Sequence, residues 1–154
     1  MADLKTRYLY KSGNQYSDFT GGFIKSLNVE NNYTLNFNNN GSIYLSLTNG
    51  TLCFNTVNFM DLSMYSTLEI ICTYNITHQY SGNTLRMGLS TVENMDYVNN
   101  FFVYHEIAQS KNQTETISIN LQNYSTQLKS CKFALYISES GTSNISINTI
   151  RLYK

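Results

Sequence analysis

The chain has 154 residues, ten Lys or Arg against ten Asp or Glu, and no net charge. Charged residues make up 13%, about half the usual share, while the hydrophobic fraction is an ordinary 42%. Plentiful Tyr and Phe argue against a disordered chain. Zero net charge argues against a nucleic-acid surface, which needs clustered cations to displace counterions. No apolar run approaches the roughly 20 residues of a membrane span. The first seven residues have no apolar core, so no secretory signal is expected and synthesis in a cytoplasm is.

Taken in order, residues 6–10 (TRYLY) alternate and read as a first strand. The Gly21-Gly22 pair marks a bulge or close backbone approach before a strand over 23–27. Tyr33, Leu35 and Phe37 alternate with polar residues up to Asn38-Asn39-Asn40-Gly41, a strong hairpin turn. Ile43, Leu45 and Leu47 form the return strand. Asn49-Gly50 reads as a second hairpin turn of the same chemistry, leading into 51–57.

The strongest strand former is 67–74, with Leu68, Ile70 and Cys72 on one face and only Glu69 charged on the other. It reads as the central strand of the molecule. Asp61 caps the turn before it. Leu85, Met87 and Leu89 make a further strand with Arg86 alone on its outward face, and 93–100 is a polar loop. Strands follow at 101–107 (FFVYHEI) and around Ile117 and Ile119, with a loop at 108–113 between them. Asn123-Tyr124-Ser125-Thr126 repeats the Tyr-Ser-Thr corner of 61–67. Phe133, Leu135 and Ile137 mark the next strand, Ser140 to Ser143 a turn, and 145–153 the last strand. Ile145 and Ile147 differ in parity from Ile150 and Leu152, so a bulge near Asn148-Thr149 is needed to keep all four inward.

Nine or ten strands without a helical period predict an all-β fold: one antiparallel β-sandwich domain over residues 1–154, jelly-roll-like, with first and last strands paired. Proline is absent, so Gly and Asn shape the loops. Cys53, Cys72 and Cys131 lie inside apolar runs at spacings that fit neither a disulfide framework nor zinc, and read as buried thiols.

No catalytic motif, metal-ligand spacing or cofactor motif occurs, so no enzyme activity, cofactor or metal is expected. His105 reads as a sheet histidine. Paired carboxylates could still meet as in a glycosidase, Glu93 with Asp96 for instance, but nothing in the sequence requires it. The seven Asn-x-Ser/Thr matches are expected by chance in so Asn-rich a chain. A binding surface is the better reading. Tyr rings interleaved with amides suit sugar rings and hydroxyls, and equally protein contact or the closing of the sandwich ends. The candidate glycan patch comprises His78, Tyr80, Arg86, Asp96, Tyr97, Asn99 and Asn100, on two loops flanking the Arg86 strand.

The opening LYKSGNQYSDFTGGF, the middle NFMDLSMYSTLEI and the ending SISINTIRLY resemble modules of phages of low-GC bacteria. These are jelly-roll sandwiches of the galactose-binding or carbohydrate-binding-module type, found in tail, fibre and other virion proteins. The resemblance implies a non-enzymatic virion protein, located on the particle. Its expected partners are other virion proteins, host surface glycans and copies of itself, a trimer among them, with neither nucleic acid nor membrane. A free-standing bacterial carbohydrate-binding module or lectin, and a head decoration or head-fibre protein without glycan binding, are the competing expectations.

Overall fold

The computed structural model describes residues 6–11, 14–15, 22–27, 33–39, 41–78 and 82–154. These form ten strands: β1 (Thr6–Lys11), β2 (Asn14–Gln15), β3 (Gly22–Leu27), β4 (Tyr33–Asn39), β5 (Ser42–Thr56), β6 (Thr67–Ile76), β7 (Thr84–Ser90), β8 (Phe101–Ile107), β9 (Lys111–Asn120) and β10 (Lys132–Tyr153). Every pairing between them is antiparallel. The alternation of apolar and polar residues fixes which face of each strand is buried, and so forces two layers.

The front layer runs β8, β7, residues 132–139 of β10, residues 50–56 of β5, then β3. The back layer runs β9, β6 and residues 142–153 of β10. On the far flank of β10, residues 42–48 of β5 lead to β4, while β1 pairs with the end of β10 and carries β2. Between the layers lies one apolar core, including Leu52, Phe54, Met87, Phe133 and Leu135 from the front and Leu68, Ile70, Cys72, Ile145 and Leu152 from the back. The structure is therefore a jelly-roll-like antiparallel β-sandwich with its first and last strands paired.

Four expectations about the fold need correction. Asn49-Gly50 is not a hairpin turn: β5 continues through it, and Asn49 at φ 49° turns the strand from back layer to front. Ser140 to Ser143 is likewise no turn but a bulged corner, with a register shift between Glu139 and Thr142 as β10 changes layer. Positive φ and a bulge redirect a chain equally well at a hairpin or a sheet corner, and the two corners lie side by side. Third, β6 is an inner strand of the back layer, but the organising strand is β10, which pairs with β1, β5, β6 and β7. The expected loop over 108–113 is also shorter, because β9 begins at Lys111.

Other expectations hold. Asn39 pairs with Ser42 across the first hairpin, with Gly41 at φ 81°. A register shift between Ile147 and Thr149 supplies the bulge that keeps Ile150 and Leu152 inward. Asp61 accepts from the Ser63 amide at 3.0 Å and its hydroxyl at 2.6 Å. The two Tyr-Ser-Thr corners close one end of the sandwich together: Leu62 N donates to Leu128 O at 2.7 Å, and Tyr65 and Tyr124 pack on the core.

Candidate glycan-binding face

The outer side of the front layer is where the chemistry gathers. With Leu52, Phe54, Leu85, Met87, Phe133 and Leu135 inward, strict alternation turns Cys53, Asn55, Arg86, Ala134 and Tyr136 outward. Register then aligns Glu106, Arg86, Tyr136, Cys53 and Lys25 as direct cross-strand neighbours from β8 to β3. Four inter-strand steps of about 4.8 Å make this row roughly 19 Å long.

Loop 91–100 folds over one end of the face. Met95, fully buried, packs with Cys53, Phe101 and Ala134 in a second apolar cluster separate from the main core. Asn55 clamps the loop from below, accepting from Met95 N at 2.6 Å and donating to Glu93 O at 3.2 Å. Lys132 Nζ donates to Glu93 O at 2.6 Å, and Ser90 Oγ to Asn100 O at 2.6 Å. The side chain of Asn100 works within the loop: its Oδ1 accepts from Asp96 N at 3.1 Å and Tyr97 N at 2.9 Å. The loop thus covers the row at Cys53 and walls the part formed by Tyr136, Arg86 and Glu106.

Arg86 stands at the junction of row and loop. It donates through Nε to Glu106 at 3.1 Å, and through Nη1 to Val98 O at 2.9 Å and Asn99 Oδ1 at 3.4 Å. Its guanidinium lies 4.1 Å from the centre of the Tyr104 ring. A planar cation held on an aromatic face and by a carboxylate loses little entropy when it grips a ligand. Burial raises the pKa of the Glu106 carboxyl, but the bonds from Thr84 and Arg86 outweigh this and hold it below the usual value. Tyr136, half-buried beside Arg86, has its hydroxyl pushed up by burial, against the bonds with Thr51 and Ser138 that pull it down. Tyr97 and Tyr104 flank the site at 57% and 40% exposure. Burial also lifts the Cys53 thiol to about 11, so it is an inert floor.

The seven residues singled out in the sequence divide. Arg86, Asp96, Tyr97, Asn99 and Asn100 come together here, with Asp96, Tyr97 and Asn99 exposed and Asn100 holding the loop. Arg86 is the one charged residue on the outward face of β7, as the sequence suggested, and Glu106 of the neighbouring β8 pairs with it. His78 belongs elsewhere and its assignment is corrected. Its side chain is 1% exposed, with Nδ1 3.0 Å from Glu139 Oε2 and Nε2 2.9 Å from Ile107 O. An enclosed ring with both nitrogens engaged holds the layer corner and has no reach to a surface ligand. Tyr80 lies outside the described residues. Tyr136 and Tyr104 were missed, although the alternation of Phe133, Leu135 and Ile137 already turns Tyr136 outward. Glu93 and Asp96 are both exposed on the loop. Among the described residues, no group of His, Cys, Asp and Glu could hold a metal ion.

No protein-family model matches this chain, and no curated protein matches it. Solved structures do match. A family 29 carbohydrate-binding module superposes with a TM-score of 0.57 at 12% identity, covering 96% of this chain and 86% of that one. The fold is the β-sandwich of carbohydrate-binding modules. A family 11 module from Clostridium thermocellum, solved in complex with a β-1,3-1,4-mixed-linked tetrasaccharide, gives a TM-score of 0.55 at 9% identity over 99% of this chain and 97% of that one. A structure concerned with promiscuous specificity of β-sandwich carbohydrate-binding modules gives 0.58 at 9% identity, covering 99% of this chain and 62% of that one. At such identities the likeness establishes the architecture.

Proposed function

We propose that the chain is a non-catalytic glycan-binding module that holds an oligosaccharide on the outer side of its front layer, along Tyr136, Arg86 and Glu106 and beside loop 91–100. The carrying observation is the Arg86 guanidinium, immobilised by Glu106 and loop 91–100 on Tyr104 and flanked by Tyr97 and Tyr136. Aromatic faces take the C–H faces of sugar rings, and fixed donors and acceptors take the hydroxyls. The carbohydrate-binding modules that share the fold support the same reading. The two inter-strand steps from Tyr136 to Glu106, about 10 Å, suit a short oligosaccharide laid across the strands.

Glycan-array screening followed by isothermal titration tests this. Arg86→Ala and Tyr136→Ala are each expected to weaken binding at least about tenfold, which is about 1.4 kcal/mol. Wild-type affinity in both variants would reject the site. If Glu93→Gln or Asp96→Asn abolished cleavage of any glycan by the wild-type protein, the non-catalytic reading would fail.

The finer reading places this module on a phage particle, where it attaches the virion to host glycans or to neighbouring subunits. The motifs of the opening, middle and end of the sequence support it. A free-standing bacterial module is the competing reading, and the carbohydrate-binding structural neighbours suit it at least as well. Mass spectrometry of purified particles separates the two, since the virion reading requires this chain among the particle proteins. Self-association belongs to the same proposal, and light scattering of the purified protein at the monomer mass would remove it.

A further inference from the structure

The sandwich has an open edge where β8, the border of the front layer, faces β9, the border of the back layer. A depression of about 300 Å³ lies there, lined by His105, Glu106, Ile107, Ala108, Gln109 and Lys111. That volume is at the lower end of small-ligand pockets. Ile107 and Ala108 supply apolar surface, and the rest of the lining is polar. Lys111 Nζ stands 3.6 Å from Glu115 Oε2, an ion pair longer than a hydrogen bond. Glu115 is in turn fixed by the hydroxyl of the buried Tyr74. Its pKa is held below the usual value, first by that bond and further by Lys111 and His105, against the effect of burial. Ionised Glu115 and Glu106 repel a ligand carboxylate, and Lys111 repels an ammonium, so the depression favours a neutral, hydroxyl-bearing occupant.

Glu106 belongs to two sites at once. On the front face it ends the row by pairing with Arg86, and at the edge it lines the depression. We infer that the depression at the β8–β9 edge is a terminal subsite, which receives the end sugar of a neutral oligosaccharide whose preceding units lie along the Arg86 row. This rests on the glycan-binding reading and extends it.

Titration of the full chain with neutral ladders, dimer to hexamer, of mixed-linked β-glucan and of chitin oligosaccharides tests the inference. In the wild type, affinity is expected to rise with length until the chain fills row and depression, then to level off. Lys111→Ala, at an exposed position, is expected to lower the ratio of longest- to shortest-chain affinity about tenfold. Glu115→Gln, which keeps an acceptor for Tyr74, should lower it in the same direction. Circular dichroism confirms that both variants fold. An unaltered ratio in both variants overturns the terminal subsite while leaving the front-face site standing. Failure of the wild type to bind either ladder overturns the subsite as drawn, and the array screen then decides separately on the front face.

Discussion

Removing the carboxylate of Glu139 is expected to be among the most damaging single changes available in this protein. The side chain is 0% exposed at the corner where β10 crosses between layers. Its Oε1 accepts from Ser140 N at 2.9 Å and Gly141 N at 3.1 Å, fixing the bulge. Its Oε2 accepts from Ser143 Oγ and meets His78 Nδ1 at 3.0 Å. Ser143 Oγ in turn accepts from Thr77 N at 2.7 Å, and Ser110 Oγ donates to His78 O at 3.1 Å. One buried carboxylate therefore gathers the β6–β7 connection, the β8–β9 connection and the β10 corner. In Glu139→Ala, the half-exposed Ser140 and Gly141 amides can turn to water, but the enclosed His78 ring and Ser143 hydroxyl cannot. Stranding a partner of a buried pair costs about 3–5 kcal/mol. Against a typical total of about 5–15 kcal/mol, much of the stability goes. Glu139→Gln keeps the volume and one acceptor, so about 1–3 kcal/mol is expected. Urea unfolding measures both, as a lower midpoint at unchanged slope. The double variant with His78→Ala should cost less than the sum of the two single changes, by at least about 1 kcal/mol. A Glu139→Ala protein within about 1 kcal/mol of wild type, or strict additivity with His78→Ala, would refute the reasoning.

Three further outcomes follow from the same geometry. Glu115, depressed first by the Tyr74 hydroxyl, contributes stability that is present above the unfolded carboxyl value of about 4.3 and is lost as pH falls through its lower folded value. Glu115→Gln should therefore flatten the acid side of the urea-midpoint profile, and Tyr74→Phe should move the Glu115 carboxyl titration upward by NMR. Burial lifts the thiols of Cys53 to about 11 and of Cys72 and Cys131 to about 12, so none should react with a thiol reagent at neutral pH until the chain unfolds, when all three should. A Cβ at Gly88 would sit 2.1 Å from Val103 O, so Gly88→Ala should force β7 and β8 apart and cost about 1–3 kcal/mol in thermal or urea unfolding.

How much was legible in the chain depended on the range of the interaction that decided each feature. Strand faces were readable because alternation is local: Leu68, Ile70 and Cys72 are buried where period two puts them. The same parity placed Arg86 outward, and applied to 132–138 it would have added Tyr136. Asn49-Gly50 was ambiguous in principle. Positive φ serves hairpin and corner alike, and the choice is made by β10, whose own corner lies ninety residues further along the chain. His78 sits in a polar stretch that reads as a ligand loop, and only Glu139, 61 residues away, reveals it as buried. Loop 91–100 was expected as a polar loop. Its function as a wall depends on Met95 docking beside Asn55, 40 residues earlier.

The central claim is that a glycan lies on the front layer, along Tyr136, Arg86 and Glu106 beside loop 91–100. An NMR titration of the isotope-labelled full chain with the best array ligand tests it most directly. The amides of β7, β8, residues 91–100 and 132–139 should shift together, and the back-layer row Arg151, Glu69 and Ser118 should stay still. Shifts confined to that back-layer row, with Arg86 and Tyr136 unmoved, would contradict the account.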